Sequence, residues 1–277
     1  MTGATSGIGQ VAAERLAASG ARIVQVARDP ARGEAALARL EALAPGLDHR
    51  IHHADLSRLA EMRRVGEAIA DSESRIDVLI NNAGALFNRR RVSADGFELT
   101  FALNHLAYVV LTHALRGRLV ETAGRAGEAR VVNTASDAHV GAALDFQDLQ
   151  STRGYSGIAA YRRSKLANIL FTRELARRLA GTGVSANCLH PGFVRTRFGD
   201  SSGGAMAFLI RAAKLFAISP EAGAETIVHL AASPAISGAT GGYFVRSRPK
   251  TPSREARDDA AARRLWDETA RLAGIAW

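Results

Sequence analysis

The sequence predicts an α/β fold: a doubly wound parallel sheet with helices on both faces. Three observations carry this expectation. Short apolar runs alternate with helix-period segments along almost the whole chain. The runs are apolar throughout rather than alternating, as strands buried on both faces must be. A glycine-rich stretch, "MTGATSGIGQ", opens the chain, and further polar residues fall just past the apolar runs. In sheets of this type, ligands bind beyond the carboxyl ends of the strands.

The elements follow in order. A helix over residues 8–19 comes after the glycine loop, and "ARIVQVA" (21–27) reads as a buried strand. "RGEAALARLEAL" (32–43) is a helix stopped by Pro45-Gly46, and "RIHHADL" (50–56) is a weaker strand. "IDVLINNAG" (76–84) is a strand running into a turn, and residues 95–120 are helical. "ARVVNTAS" (129–136) is a strand, residues 158–180 are a long helix ended by Gly181 and Gly183, and "VSANCLHPG" (184–192) is the next strand. A helix over 220–232, the short strand "GGYFVR" (241–246) and a last helix over 257–273 complete the pattern. With 277 residues, 47% hydrophobic, and no linker or repeat, the expectation is one domain over 1–277.

Composition narrows the partners. Net charge is +9, and of 36 basic residues only Lys165, Lys214 and Lys250 are lysines. Basic surfaces attract phosphates. Here the arginines are scattered over helix faces, without zinc-finger spacing or an aromatic ribonucleoprotein pattern, which argues against nucleic acid. The apolar stretch 203–219 is too short and too charged to span a bilayer, and a cytoplasmic location is expected. Cys188 stands alone in an apolar run and reads as a small core residue.

The opening loop has glycines at 3, 7 and 9, the spacing G-x-x-x-G-x-G. Such a loop lets backbone approach a pyrophosphate at the positive end of the following helix, with Thr5, Ser6 and Ile8 along the same turn. Tyr161 and Lys165, in "YRRSK", lie four apart and share a helix face. A cation beside a phenol lowers the phenol's pKa and suits it to acid/base work. Ser136 ends a strand, where its hydroxyl can meet a substrate oxygen, and Asn104 is a polar residue in an apolar helical stretch. His139 and His190 have no metal spacing, and Tyr155 has Ala159 rather than lysine at its fourth following position.

Taken together, the glycine loop, "NNAG" (81–84), Asn104, Ser136 and Tyr161-x-x-x-Lys165 resemble the short-chain dehydrogenase/reductase family, in its order and at its distances. "ARDPARGEAAL", "DGFELTFALNHLA", "SKLANILFTRELARRLA", "HPGFVRT" and "GGYF" look like its retinol-dehydrogenase-like branch and the bacterial relatives of that branch. The resemblance implies a Rossmann-like fold and hydride transfer between nicotinamide and a carbonyl or alcohol carbon. In those terms Tyr161 is the acid/base, Ser136 polarises the substrate oxygen, Lys165 lowers the tyrosine pKa and binds the nicotinamide ribose, and Asn104 holds a water leading to Lys165. Asp55 and Leu56 take the adenine edge, and Asn82, Ala83 and Gly84 line the adenosine side. Pro191 and Gly192, with Val194 and Thr196, meet the nicotinamide end.

For the cofactor, the residues after the second strand decide. Ala27 stands where an acidic residue would accept from a ribose 2′-hydroxyl, and Arg28 follows, whose fixed fork suits a 2′-phosphate. NADP(H) is therefore favoured, with NAD(H) open through Asp29. The segment 196–218, rich in Met206, Phe208, Leu209, Ile210, Leu215 and Phe216, lies where the family places a substrate lid. It fits a small lipophilic aldehyde, ketone or alcohol; packing against the body and, through Arg211 and Lys214, peripheral membrane contact are the other readings. A homodimer is compatible with the chain, as is a catalytically silent cofactor-binding regulator, although none of Ser136, Tyr161 and Lys165 is missing.

In the family, a strand of five or six residues precedes the opening Thr-Gly, and only Met1 stands there. The expectation is a first strand cut short, with 21–27 and 76–81 about two strand spacings apart, roughly 9–10 Å, and nothing between them. A start of the natural protein upstream of Met1 is the accompanying expectation.

Overall fold

The computed structural model describes residues 1–192 and 218–277. Strands β1 (Val24–Ala27) and β2 (Arg50–His53) pair in parallel. Strands β3 (Val78–Asn81), β4 (Ala129–Thr134), β5 (Val184–His190) and β6 (Tyr243–Val245) run parallel in that order, and β7 (Arg248–Pro249) closes the edge antiparallel to β6. The antiparallel edge is absent from the expectation of a wholly parallel sheet. Arg246 and Ser247, both in the left-handed region, turn the chain back on itself in too few residues for sequence periodicity to register.

Helices α1 (Gly7–Ala18), α2 (Pro30–Leu43), α3 (Leu59–Ser72), α4 (Leu99–Phe101), α5 (Ala107–Ala126), α6 (Gly157–Arg178), α7 (Pro220–Ala232) and α8 (Asp259–Ala273) cover the sheet. Successive strand residues feed opposite faces. Leu79 and Val131 join a core with Met62, Leu111, Phe171 and Trp266. Their neighbours Ile80 and Val132 join another core with Ala13, Leu16, Ile227 and Leu230. Both faces are therefore dry, which is why the strands read as continuous apolar runs. The helix expected over 95–120 is interrupted by a π-turn at Ala102–Leu106 and continues to Ala126, where Gly127 caps it in the left-handed conformation.

β1 and β3 do not pair with each other. The interval between them is not empty: Met1 and Thr2 bridge it. The Val26 N–H donates to Met1 O at 2.9 Å, and the Thr2 N–H donates to Ile80 O at 3.0 Å. The Met1 amino group donates to Val24 O at 2.6 Å, and burial pushes its pKa down to about 5. The two strands are unpaired, as expected, and the expected void is corrected, because Met1 and Thr2 carry hydrogen bonds to both sides.

Candidate active site

The opening loop folds onto the end of β3. Gly3 and Gly7 take positive φ values of 69° and 58°, and a Cβ on Gly9 would lie 2.1 Å from Gly3 O. Ser6 caps α1 without a side-chain bond, and the first turn carries no acidic residue. The leading N–H groups of α1 therefore have no side-chain cap, and no carboxylate of the first turn offsets its positive dipole end. Thr2 secures this loop. Its buried hydroxyl accepts from the N–H groups of Asn82 and Ala83, both at 3.0 Å. Asn82 Nδ2 donates to Gly3 O at 3.2 Å, and Thr134 Oγ1 donates to Asn82 Oδ1 at 3.2 Å. The Tyr108 hydroxyl donates to Ala83 O at 2.9 Å. Thr2 and Tyr108 are supports that sequence reasoning missed; the adjacency of Thr2 to Gly3 was the only signal.

Ser136 lies two residues beyond β4, where it caps the short turn Asp137–His139 and its Oγ accepts from the Ala138 N–H at 3.1 Å. From α6, Tyr161 reaches Ser136, and Lys165 is buried with its Nζ 5.5 Å from the Tyr161 ring centre. Lys165 Nζ donates to Thr134 O at 2.9 Å. Burial pushes the Tyr161 phenol up to about 12, against a hydrogen bond from Ser136 that acts the other way. Burial likewise pushes Lys165 down to about 7. This corrects the expectation that Lys165 draws the phenol's pKa down. Desolvation disfavours the charged form of both groups. At neutral pH Tyr161 thus holds its proton, the state a general acid needs.

Asn104 sits in the π-turn, fully buried. Its Oδ1 accepts from the Ala85 N–H at 2.8 Å, and its Nδ2 donates to Ala85 O at 2.9 Å and to Ser164 Oγ at 3.1 Å. The side chain ties the segment after "NNAG" to α6. A Cβ on Gly84 would stand 3.3 Å from Asn104 Oδ1 and 3.7 Å from Lys165 Nζ, so the three residues meet.

After β1 and β2 the groups are less confined. Arg28 is exposed after β1. Asp29 caps α2, its Oδ1 accepting from the Arg32 N–H at 3.0 Å, and that bond holds its carboxyl below the ordinary range. Asp55 Oδ1 accepts from the Ser57 N–H at 3.0 Å and hydroxyl at 2.8 Å. Leu56 is buried in the core, so only its backbone is available to a ligand. Pro191 and Gly192 follow β5, while Val194, Thr196 and the apolar residues from Met206 to Phe216 lie outside the described residues.

Among the described residues no cluster of His, Cys, Asp and Glu could hold a metal ion, and no helix is long and apolar enough to cross a membrane. The Tyr155 hydroxyl donates to Phe87 O at 2.8 Å, away from Lys165. Burial pushes the Cys188 thiol up to about 12, so it stays protonated and inert.

The chain is similar to known proteins over nearly its whole length. The short chain dehydrogenase family model matches residues 1–205. Human retinol dehydrogenase 13 is 40% identical over 283 residues, covering 99% of this chain and 84% of that protein. A crystal structure from Mycobacterium paratuberculosis superposes with a TM-score of 0.77 at 33% identity, covering 99% of this chain and 92% of the other. The Pseudomonas aeruginosa RhlG/NADP active-site complex gives 0.70 at 28% identity, covering 92% and 94%.

Proposed function

The chain belongs to the short-chain dehydrogenase family and is an oxidoreductase, and from that premise we propose an NADP(H)-dependent enzyme acting on a small lipophilic carbonyl or alcohol. The observation that carries the proposal is the meeting of Ser136, a protonated Tyr161 and a buried Lys165 past the carboxyl end of β4. A bound nicotinamide dinucleotide supplies or accepts the hydride. Tyr161 gives its proton to the substrate oxygen, and Ser136 donates a hydrogen bond to that oxygen. Lys165 holds the nicotinamide ribose, with Asn104 fixing the backbone around it. Gly3, Thr5, Ser6, Gly7, Ile8 and Gly9 form the diphosphate cradle. Asp55, Leu56 and Asn82 to Gly84 line the adenosine side, and Pro191, Gly192, Val194 and Thr196 meet the nicotinamide end.

The fit to a dinucleotide rests on the loop: Gly9 packs so closely on Gly3 O and Asn82 that no side chain could stand there, which holds the loop tight against the start of α1, where no side chain caps the leading N–H groups. NADP(H) is supported by exposed Arg28, by the commitment of Asp29 to α2, and by NADP in the RhlG complex. A lipophilic substrate is supported by the similarity to retinol dehydrogenases and by Val140 and Ile158. Both are exposed apolar side chains close in sequence to Ser136 and Tyr161. Residues 1–277 form one cofactor-binding domain in this proposal.

The test mixes purified protein with NADPH and a panel of apolar aldehydes, retinal among them, while following nicotinamide absorbance. Oxidation of NADPH by at least one is expected. A constant signal with every carbonyl, and no reduction of NADP by the matching alcohols, would leave a silent cofactor-binding regulator.

A further inference from the structure

The turn that carries Ser136 is held from outside by a segment remote in sequence. After Ala135, whose N–H donates to Leu189 O at 2.8 Å, β4 leaves the sheet. Asp137 and His139 then point to the strap that follows β6. Lys250, which is fixed by its own N–H donating to Tyr243 O at 2.8 Å, places Nζ 3.1 Å from both oxygens of the Asp137 carboxylate. The Tyr243 hydroxyl donates to Asp137 Oδ1 at 2.8 Å, and His190 Nε2 stands 3.6 Å from Asp137 Oδ2. Three residues further along the strap, the Ser253 N–H donates to His139 Nε2 at 3.1 Å. Because that ring nitrogen accepts, the proton of the neutral imidazole is on Nδ1, which donates to Ser136 O at 2.7 Å. The chain Ser253–His139–Ser136 is thus continuous. On the opposite side, Arg162, the neighbour of Tyr161, donates through Nε to Ala138 O at 3.1 Å.

We propose that Lys250 and His139 are positioning residues for Ser136, strapping the segment 248–253 onto the Ser136 turn; this rests on the assignment of Ser136 to the reaction. Neither touches substrate or cofactor in this proposal. The two anchors fix different parts of the turn, the Asp137 carboxylate and the Ser136 carbonyl. Together with Arg162 they set where the serine hydroxyl stands relative to Tyr161. The Lys250–Asp137 pair has side-chain exposures of 49% and 34%, so solvent screens it and it adds little to global stability. Its removal should act locally, on the turn. Misplacement of a reacting group by about 1 Å can cost on the order of 100-fold in rate, and partial loosening should cost less.

The test uses the full chain with Lys250→Met, Lys250→Arg and His139→Leu. Hydrogen exchange is followed by mass spectrometry, together with steady-state turnover of an apolar aldehyde with NADPH. Lys250→Met should speed exchange in peptides covering 136–142 while leaving β3 and α5 unchanged. It should lower kcat about tenfold with the KM for NADPH within about twofold, and Lys250→Arg should restore both readouts. His139→Leu should loosen the same peptides. Unchanged exchange over 136–142 in Lys250→Met overturns the proposal, as does a fall in kcat that Lys250→Arg fails to rescue. If the wild type turns over no carbonyl, the functional reading falls by itself, and the exchange comparison still decides whether Lys250 holds the turn.

Discussion

Two regions of the candidate site are built differently. Around Tyr161 the working side chains are enclosed: Lys165 is 3% exposed, Ser136 8% and Asn104 0%. Each is fixed by named hydrogen bonds. Around Arg28 the side chains stand in solvent, and the structure there is backbone: a glycine loop and the start of a helix. Burial sets the character of the first region, because removing water pushes the Tyr161 phenol up and the Lys165 ammonium down. An exposed guanidinium binds strongly only when a ligand excludes water from it. The proposed function thus puts chemistry where the protein controls the dielectric, and cofactor selection where the ligand brings the charge.

The largest expected effect breaks the enclosed end. Tyr161→Phe should lower turnover by about 100- to 10,000-fold, the usual worth of a positioned acid, with NADPH affinity little changed. Stopped-flow turnover and fluorescence titration check both parts, and near-normal turnover would falsify the role of the phenol. Next in size, Arg28→Ala should weaken NADPH about 10- to 150-fold while NADH moves by less than about threefold. Equal weakening of the two, measured by titration, would show that the arginine does not read a 2′-phosphate.

A smaller effect probes the cost of the enclosure. Lys165 has a folded pKa of about 7, below its ordinary value of 10.5. The unfolded chain therefore binds the extra proton between those values, and stability from this group rises with pH across that window. Below pH 7 the cost of burying the charged lysine is fully present. Lys165→Met should raise Tm at pH 7, and the gain should shrink as the pH approaches 9.5. A pH-independent difference between the two melting curves would sink the idea. The smallest effect is at the exposed end. Asp29→Ala removes the cap of α2 and should lower Tm slightly while leaving NADH affinity unchanged. A marked loss of NADH binding in calorimetry would return Asp29 to the ribose.

What could be read in the chain beforehand was local. Tyr161 and Lys165 share a face because four residues make about one helical turn, and the spacing alone establishes that. Gly3, Gly7 and Gly9 announce a tight loop because only glycine is at ease in left-handed or crowded backbone. The alternation of apolar runs and helices announced the layered sheet. Neither the π-turn that buries Asn104 nor the brief reversal into β7 has a periodicity to betray it.

The sequence by itself determined the order of the elements, the residue types offered to the site and their register on each helix or strand end. Tertiary structure alone decided what surrounds them. Thr2 clasps Asn82 across 80 positions, and Lys250 meets Asp137 across 113. The phenol of Tyr161 rises to about 12 instead of falling beside Lys165. The physical reason is common to all three. Hydrogen bonding between distant segments and the removal of water depend on which elements pack together, and no spacing along the chain encodes how dry a side chain becomes.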